Sequence, residues 1–222
     1  MLIDTHAHIN FKDYYKDDYE EVIKRALKQK IWIINVGADY ESSEQAVNMT
    51  TYADYGEGLY ATVGLHPGDV INEEFDFEKY EKLIVNERVV AIGETGLDFY
   101  HIQNEPAKKN KELREKQEEL FLRHIDLARK VNRPLIIHCR DASADLSQNL
   151  DGQAHQRLIS ILKKTLNQER GVIHCFTGTL EQANHYIDMG LLIGFTGIIT
   201  FSHVYDEIIK KLPTDKMLVM QN

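Results

Sequence analysis

Leu135-Ile136-Ile137-His138-Cys139 is a short apolar run with a histidine near its C-terminal end. It follows a segment in which Leu113, Leu120, Phe121, His124, Leu127, Ala128 and Val131 recur three and four residues apart. The first pattern fits a buried strand and the second an amphipathic helix, whose apolar stripe needs a sheet to cover it. The same helix-to-strand unit recurs along the chain. Strands are expected at Leu2–His6, Ile31–Gly37, Tyr60–Leu65, Val89–Glu94, Leu135–Cys139, Gly171–Cys175, Leu191–Phe195 and Met217–Met220, with helical periodicity between them. Eight strands with no linker or composition break predict one α/β domain over residues 1–222, a (β/α)8 TIM-type barrel. A doubly wound open sheet usually stops at about five to seven strands. The eighth strand ends two residues before the sequence does, so the barrel is expected to lack its final helix. Such a helix buries three or four large apolar side chains, roughly 5–10 kcal/mol of stabilisation, so either the chain is truncated or something else covers that seam.

Composition narrows the function. The 222 residues are 43% hydrophobic and 27% charged with four prolines, which excludes disordered and fibrous classes. No apolar stretch approaches the roughly 20 residues of a bilayer span, and the N-terminus lacks a secretory pattern. Cys139 and Cys175 each follow a histidine inside an apolar segment, which reads as reduced thiols in a cytoplasmic protein. With 26 Lys+Arg against 35 Asp+Glu, the net charge of −9 excludes a coat that binds nucleic acid by charge excess. The mixed-sign run from Lys108 to Glu119 reads as a solvated helix face.

The polar residues at the strand ends carry the chemistry. His6 and His8 share one face of the first strand by its two-residue period. A pair of this kind is common by chance, so its position carries the weight. His66 follows the third strand, Glu94 closes the fourth, His138 the fifth and His174 the sixth, all at the end where barrels of this type place their sites. Taken singly, each reads more readily as an inert, hydrogen-bonded, partly buried polar residue. Taken together, desolvating several histidines with a carboxylate is costly unless a shared cation compensates them. Imidazoles with one carboxylate suit zinc, manganese, cobalt or iron, whereas magnesium prefers oxygen ligands and water. Four histidines and one glutamate can hold one ion in a closed site, or two bridged by the carboxylate with positions left for water. Asp4 lies one step deeper on the face of His6 and His8, where it either orients an imidazole or is a polar residue at the barrel floor. Arg140 shares the face of His138 and is shaped for bidentate contact with phosphate, and His66 can donate to the same group. A salt bridge from Arg140 to Asp141, Asp98 or Glu94 is the ordinary alternative.

These residues sit in five ordered motifs: Asp4-Thr5-His6-Ala7-His8, Gly64-Leu65-His66-Pro67, Gly93-Glu94-Thr95-Gly96-Leu97-Asp98, His138-Cys139-Arg140-Asp141-Ala142 and His174-Cys175-Phe176-Thr177-Gly178. Together they resemble the TatD-related DNase family over the whole chain. The resemblance implies a metal-dependent hydrolase of the amidohydrolase-like barrel type that cleaves DNA, often as an exonuclease, with two divalent cations. It implies that His6, His8, Glu94, His138 and His174 are metal ligands with Glu94 bridging, and that His66 and Arg140 lie near the scissile phosphate. The chain departs from the family at its end, where Asn222 stands in place of an aspartate that binds metal and handles the proton of water. An amide cannot accept that proton, so impaired activity is expected, by about 10²–10⁴ in rate.

The expected protein is therefore a metal-dependent deoxyribonuclease in which Glu94 is catalytic. It uses two divalent cations (zinc, manganese, magnesium or similar) and binds DNA at a rim formed by His66, Arg140 and the segment Tyr100–Lys111. The alternatives are an amidohydrolase or lactonase acting on a small carbonyl substrate, and a non-catalytic metal- or nucleic-acid-binding remnant.

Overall fold

A computed structural model of the chain describes residues 1–11, 18–51, 57–142, 153–166 and 170–220. Eight parallel strands form one sheet in sequence order: β1 (Leu2–Ala7), β2 (Ile31–Val36), β3 (Leu59–Val63), β4 (Val89–Asp98), β5 (Leu135–Arg140), β6 (Gly171–His174), β7 (Leu192–Phe195) and β8 (Met217–Val219). The α-helices between them are α1 (Tyr19–Lys28), α2 (Tyr40–Met49), α3 (Phe77–Ile84), α4 (Ala107–Val131), α5 (Ala154–Thr165), α6 (Leu180–Asp188) and α7 (Asp206–Lys211). This alternation is the expected (β/α)8 arrangement in a nearly closed barrel. No helix follows β8 among the described residues, and Gln221 and Asn222 lie outside them.

Strand alternation divides the core. Val36, Ala91, Ile136, Val172 and Met220, with Leu192 and Leu218 against them, fill the inside of the sheet. Leu135, Ile137, Cys139, Ile173 and Ile193 face the other way, into the larger layer shared with Leu120, Phe121, Leu127, Leu158 and Leu162 of the helices. Because Ile136 and Val172 point inward, His138 and His174, two residues on, point inward as well.

β4 departs from its expected span. It runs to Asp98, four residues past Glu94, and its pairing with β5 shifts register between Ile92 and Thr95. The expected strand stops at Glu94, where Gly96 soon interrupts the apolar pattern. In the fold Gly93 and Gly96 hold φ of 150° and 137°. A Cβ on Gly93 would lie 2.5 Å from the carbonyl oxygen of Ile136, and one on Gly96 would collide with the carbonyl oxygen of His138. Two glycines thus let β4 bulge against β5 while both Glu94 and Asp98 remain at the site.

Helix α4 braces that region from outside. Its buried face carries two polar residues among leucines and Phe121. Gln117 accepts from the Asp98 amide (2.9 Å) and donates to the carbonyls of Asp98 (2.9 Å) and Pro67 (3.1 Å). His124 accepts from the Leu65 amide (3.0 Å) through Nε2 and donates to the Leu120 carbonyl (2.9 Å) through Nδ1. The bonds to Asp98, Pro67 and Leu65 satisfy backbone groups next to the site that burial would otherwise leave unpaired, and together they fix the segments that carry Asp98 and His66.

His155 on α5 is a buried imidazole outside the site, 3.0 Å from the Tyr186 hydroxyl. Burial, reinforced by the charge of His138, holds it neutral and its pKa down at about 3 against an ordinary 6.5. Above pH 6.5 the residue is neutral folded and unfolded, so its contribution to stability is complete there. Below pH 6.5 only the unfolded chain gains the proton, and stability falls as pH drops towards the folded value. The unfolding free energies of wild type and His155→Leu are therefore expected to converge by about 2 kcal/mol between pH 7 and pH 5. Urea titrations at the two pH values measure this, and a pH-independent difference contradicts it.

Candidate metal centre

Glu94 is buried, and five imidazoles surround its carboxylate. The distances are 3.4 Å from His6 Nε2 and 3.7 Å from His8 Nε2 to Oε2, and 3.0 Å from His138 Nδ1, 3.6 Å from His174 Nε2 and 3.8 Å from His66 Nε2 to Oε1. His6 and His8 bring their Nε2 atoms to 3.0 Å of each other, and the His6 ring stacks on His174 with centroids 3.6 Å apart and planes at 9°. The structure thus brings together all five residues expected as ligands, with His66 at their edge.

The hydrogen bonds on the far side of each ring determine which nitrogen faces the centre. His8 Nδ1 donates to the Val36 carbonyl (3.1 Å), which leaves a lone pair on Nε2 towards Glu94. His174 Nδ1 lies 3.2 Å from the Met220 thioether, a weak acceptor, so its Nε2 is likewise free to ligate. His138 Nε2 donates to Asp98 Oδ2 (2.9 Å) and turns Nδ1 to Glu94. A ring tied to a carboxylate on one nitrogen and open on the other is the usual arrangement of a metal-bound histidine. His6 likewise presents Nε2 to Glu94 and His8, while its Nδ1 is buried with no hydrogen-bond partner among the described residues.

His66 differs. Its Nδ1 accepts from the Gly68 amide (3.0 Å), so the neutral ring carries its hydrogen on Nε2. Burial and the neighbouring His138 push its pKa down to about 4, which keeps it a neutral donor. His66, Asp98 and His138 lie close enough to form a second ligand group, as His6, Glu94 and His174 do. A protonated Nε2 suits His66 to a substrate oxygen better than to a cation.

The charges conflict in a way that favours a cation. Burial raises the Glu94 pKa, but His174, His6 and a hydrogen bond from His138 outweigh it and hold the carboxyl well below its usual range. Burial and the proximity of His6 hold His174 well down, and the same two causes lower His8. For His138 burial favours the neutral form, yet Asp98 and Glu94 overcome it and raise the pKa to about 9. One imidazolium, His138, faces both buried carboxylates, Glu94 and Asp98, and so leaves one negative charge unbalanced, while the stacked rings of His6 and His174 repel one another if both take a proton to balance it. A divalent ion accomplishes this without protons, and nitrogen ligands with one carboxylate suit the zinc and manganese class.

Asp98 is the residue that the sequence reading passed over as a partner of this centre. It is fully buried and accepts from His138, from the His101 amide (2.9 Å) and from His101 Nδ1 (2.8 Å). Its place on the same strand as Glu94 was the available signal, hidden by the turn-like glycines. Asp4 accepts from the His6 amide through Oδ1 (3.2 Å). Arg140 reaches the rim, exposed, with its guanidinium carbon 3.8 Å above the Tyr100 ring. The three carboxylates weighed as its partners are engaged elsewhere: Asp98 and Glu94 with histidines, and Asp141 with the His155 amide.

The chain is similar to known proteins over nearly its whole length. The family model of TatD related DNases matches residues 3–219. The chain is 38% identical to the uncharacterized metal-dependent hydrolase YabD of Bacillus subtilis, over 99% of this chain and 78% of that protein. It is 31% identical to the 3'-5' ssDNA/RNA exonuclease TatD of Pectobacterium parmentieri, over 92% of this chain and 73% of that one. The crystal structure of YJJV, a TatD homolog from Escherichia coli, superposes with a TM-score of 0.79 at 28% identity, covering 99% of this chain and 78% of the other.

Elemental analysis after dialysis tests the centre. Glu94→Ala and His138→Ala are expected to retain a minor fraction of the metal bound by wild type, and Asp98→Asn to bind it about 10–100-fold more weakly. His185→Ala and His203→Ala are expected to retain wild-type content. Equal content in all five variants contradicts the assignment.

Proposed function

This chain belongs to the TatD-related DNase family of metal-dependent hydrolases, and we propose that it is a nuclease that hydrolyses phosphodiester bonds of DNA. One observation carries the reading: a buried carboxylate is ringed by imidazoles whose lone pairs converge, with a neutral N–H donor and a guanidinium on the same rim. In this proposal His6, His8, Glu94, His138 and His174 hold two divalent cations, zinc, manganese or magnesium, with Glu94 between them. Such ions supply positive charge at a phosphoryl oxygen and lower the pKa of water.

The chain's own groups do the rest. Glu94 is the catalytic carboxylate that joins the two halves of the centre, and its full ionisation keeps it available to them. Asp98 fixes the orientation of His138. His66 donates its Nε2 hydrogen to a phosphate oxygen, and it stays neutral at working pH because its pKa is near 4. Arg140 meets a phosphate at the rim, where no ion pair to a carboxylate engages it among the described residues. Residues 1–222 act as one domain. Two free cysteines fit a reducing compartment, and we place the protein in the cytoplasm.

A small-carbonyl hydrolase would use the same centre but needs neither Arg140 nor a phosphate donor. Turnover of the metal-loaded protein on an oligodeoxynucleotide, a lactone and an amide separates the two. Oligonucleotide cleavage that is abolished by chelation and lowered about 10²-fold or more by Glu94→Gln is the expected result. Lactone turnover without DNA cleavage overturns the proposal.

A further inference from the structure

The Tyr100–Arg140 stack stands beside the metal centre without being part of it. Tyr100 lies two residues past the end of β4 and is 43% exposed, a large aromatic at the site's rim. Arg140 ends β5, its own side chain exposed, and lays its guanidinium over the Tyr100 ring. The ring of Tyr100 also meets His101 edge-on, with centroids 5.6 Å apart at 86°. His101 is bound to Asp98, and Asp98 to His138. The stack is therefore joined to a candidate ligand through two hydrogen-bonded residues, and Arg140 itself lies two residues past His138 on the same strand.

Two planar groups, one from the loop after β4 and one from the end of β5, both open to solvent, form a surface of a particular kind. A guanidinium stacked on a tyrosine presents a flat face to a nucleobase while its N–H edge stays free for phosphate. Aromatic and arginine planes accept any base, because every base has a π face. A phosphate alone needs only the cation, so the aromatic ring has no task there. With a net charge of −9 the chain cannot hold a strand by charge excess, and affinity beyond the centre has to come from contacts of the stacking kind. In a duplex both faces of an interior base are occupied by its neighbours, so the stack is open only to an unpaired base.

We propose that Tyr100, with Arg140, forms a base-stacking subsite for the unpaired nucleotide adjacent to the scissile phosphate, and that Tyr100 is thereby a specificity-determining residue. This rests on the phosphodiesterase reading above. It is tested by fluorescence anisotropy with metal-loaded protein and a labelled phosphorothioate-linked oligothymidylate, which resists cleavage, against a strand of the same length and linkage with abasic residues in place of bases.

The wild type is expected to bind the base-bearing strand about 10-fold more tightly than the abasic one. Tyr100→Ala is expected to bring that ratio close to one, and Tyr100→Phe to preserve it. A purely structural role would lower both affinities together and leave the ratio unchanged. Equal affinity for the two strands in wild type, no binding of either, or an unaltered ratio in Tyr100→Ala overturns the inference. Metal content and thermal midpoint of each variant confirm that it is folded. Base-dependent binding without cleavage of an ordinary oligonucleotide would instead overturn the nuclease proposal and leave the subsite standing.

Discussion

The structure turns on a carboxylate that is buried among imidazoles. Glu94 meets His6, His8, His66, His138 and His174 within 4 Å, and the one imidazolium among them, His138, is shared with a second buried carboxylate, Asp98. Burial disfavours every charge, the carboxylate draws protons onto its neighbours, and the stacked rings of His6 and His174 repel if both accept one. A folded protein tolerates such a conflict when ligand binding resolves it, and ordinary stability alone offers no reason to collect five histidines around one acid. The fold can be understood as the means of enforcing that meeting.

Enforcement comes from two directions. Inside, the parallel strands deliver side chains of the same parity to one end, so that Ile136 beneath His138 and Val172 beneath His174 form the apolar floor on which the polar cluster stands. Outside, α4 reaches through its apolar face with Gln117 and His124 to hold the backbone at Asp98 and Leu65. The site is thus supported by side chains that never touch it. Gly93 and Gly96 complete the arrangement, since any side chain at either position would strike the β5 backbone and push β4 away from it.

The eight strands and their order are legible in the sequence, because a parallel sheet covered by helices writes itself as apolar runs alternating with helical periodicity. The gathering of His6, His8, Glu94, His138 and His174 is legible too, since strand-end position in a barrel is equivalent to proximity. What escapes is set by bulges and by long-range hydrogen bonds. Asp98 lies beyond glycines that resemble a turn, and only the register shift against β5 makes it a partner of His138. His124 reads only as one more member of the helix's periodic stripe and Gln117 carries no signal of its own, because the backbone groups they bind lie 59 and 19 residues away. Arg140 occupies the expected face, but its stacking on Tyr100 depends on the loop that follows β4, whose conformation no periodicity encodes.

Function follows from the same conflict of charges. A centre whose buried carboxylates outnumber its imidazolium suits divalent ions, and a neutral donor and a guanidinium on its rim suit phosphate. The direct test is an anomalous difference map from crystals grown with manganese. The account requires peaks among His6, His8, Glu94, His138 and His174, within coordination distance of Glu94. Manganese found only at surface carboxylates, with the imidazoles around Glu94 unoccupied, would contradict it.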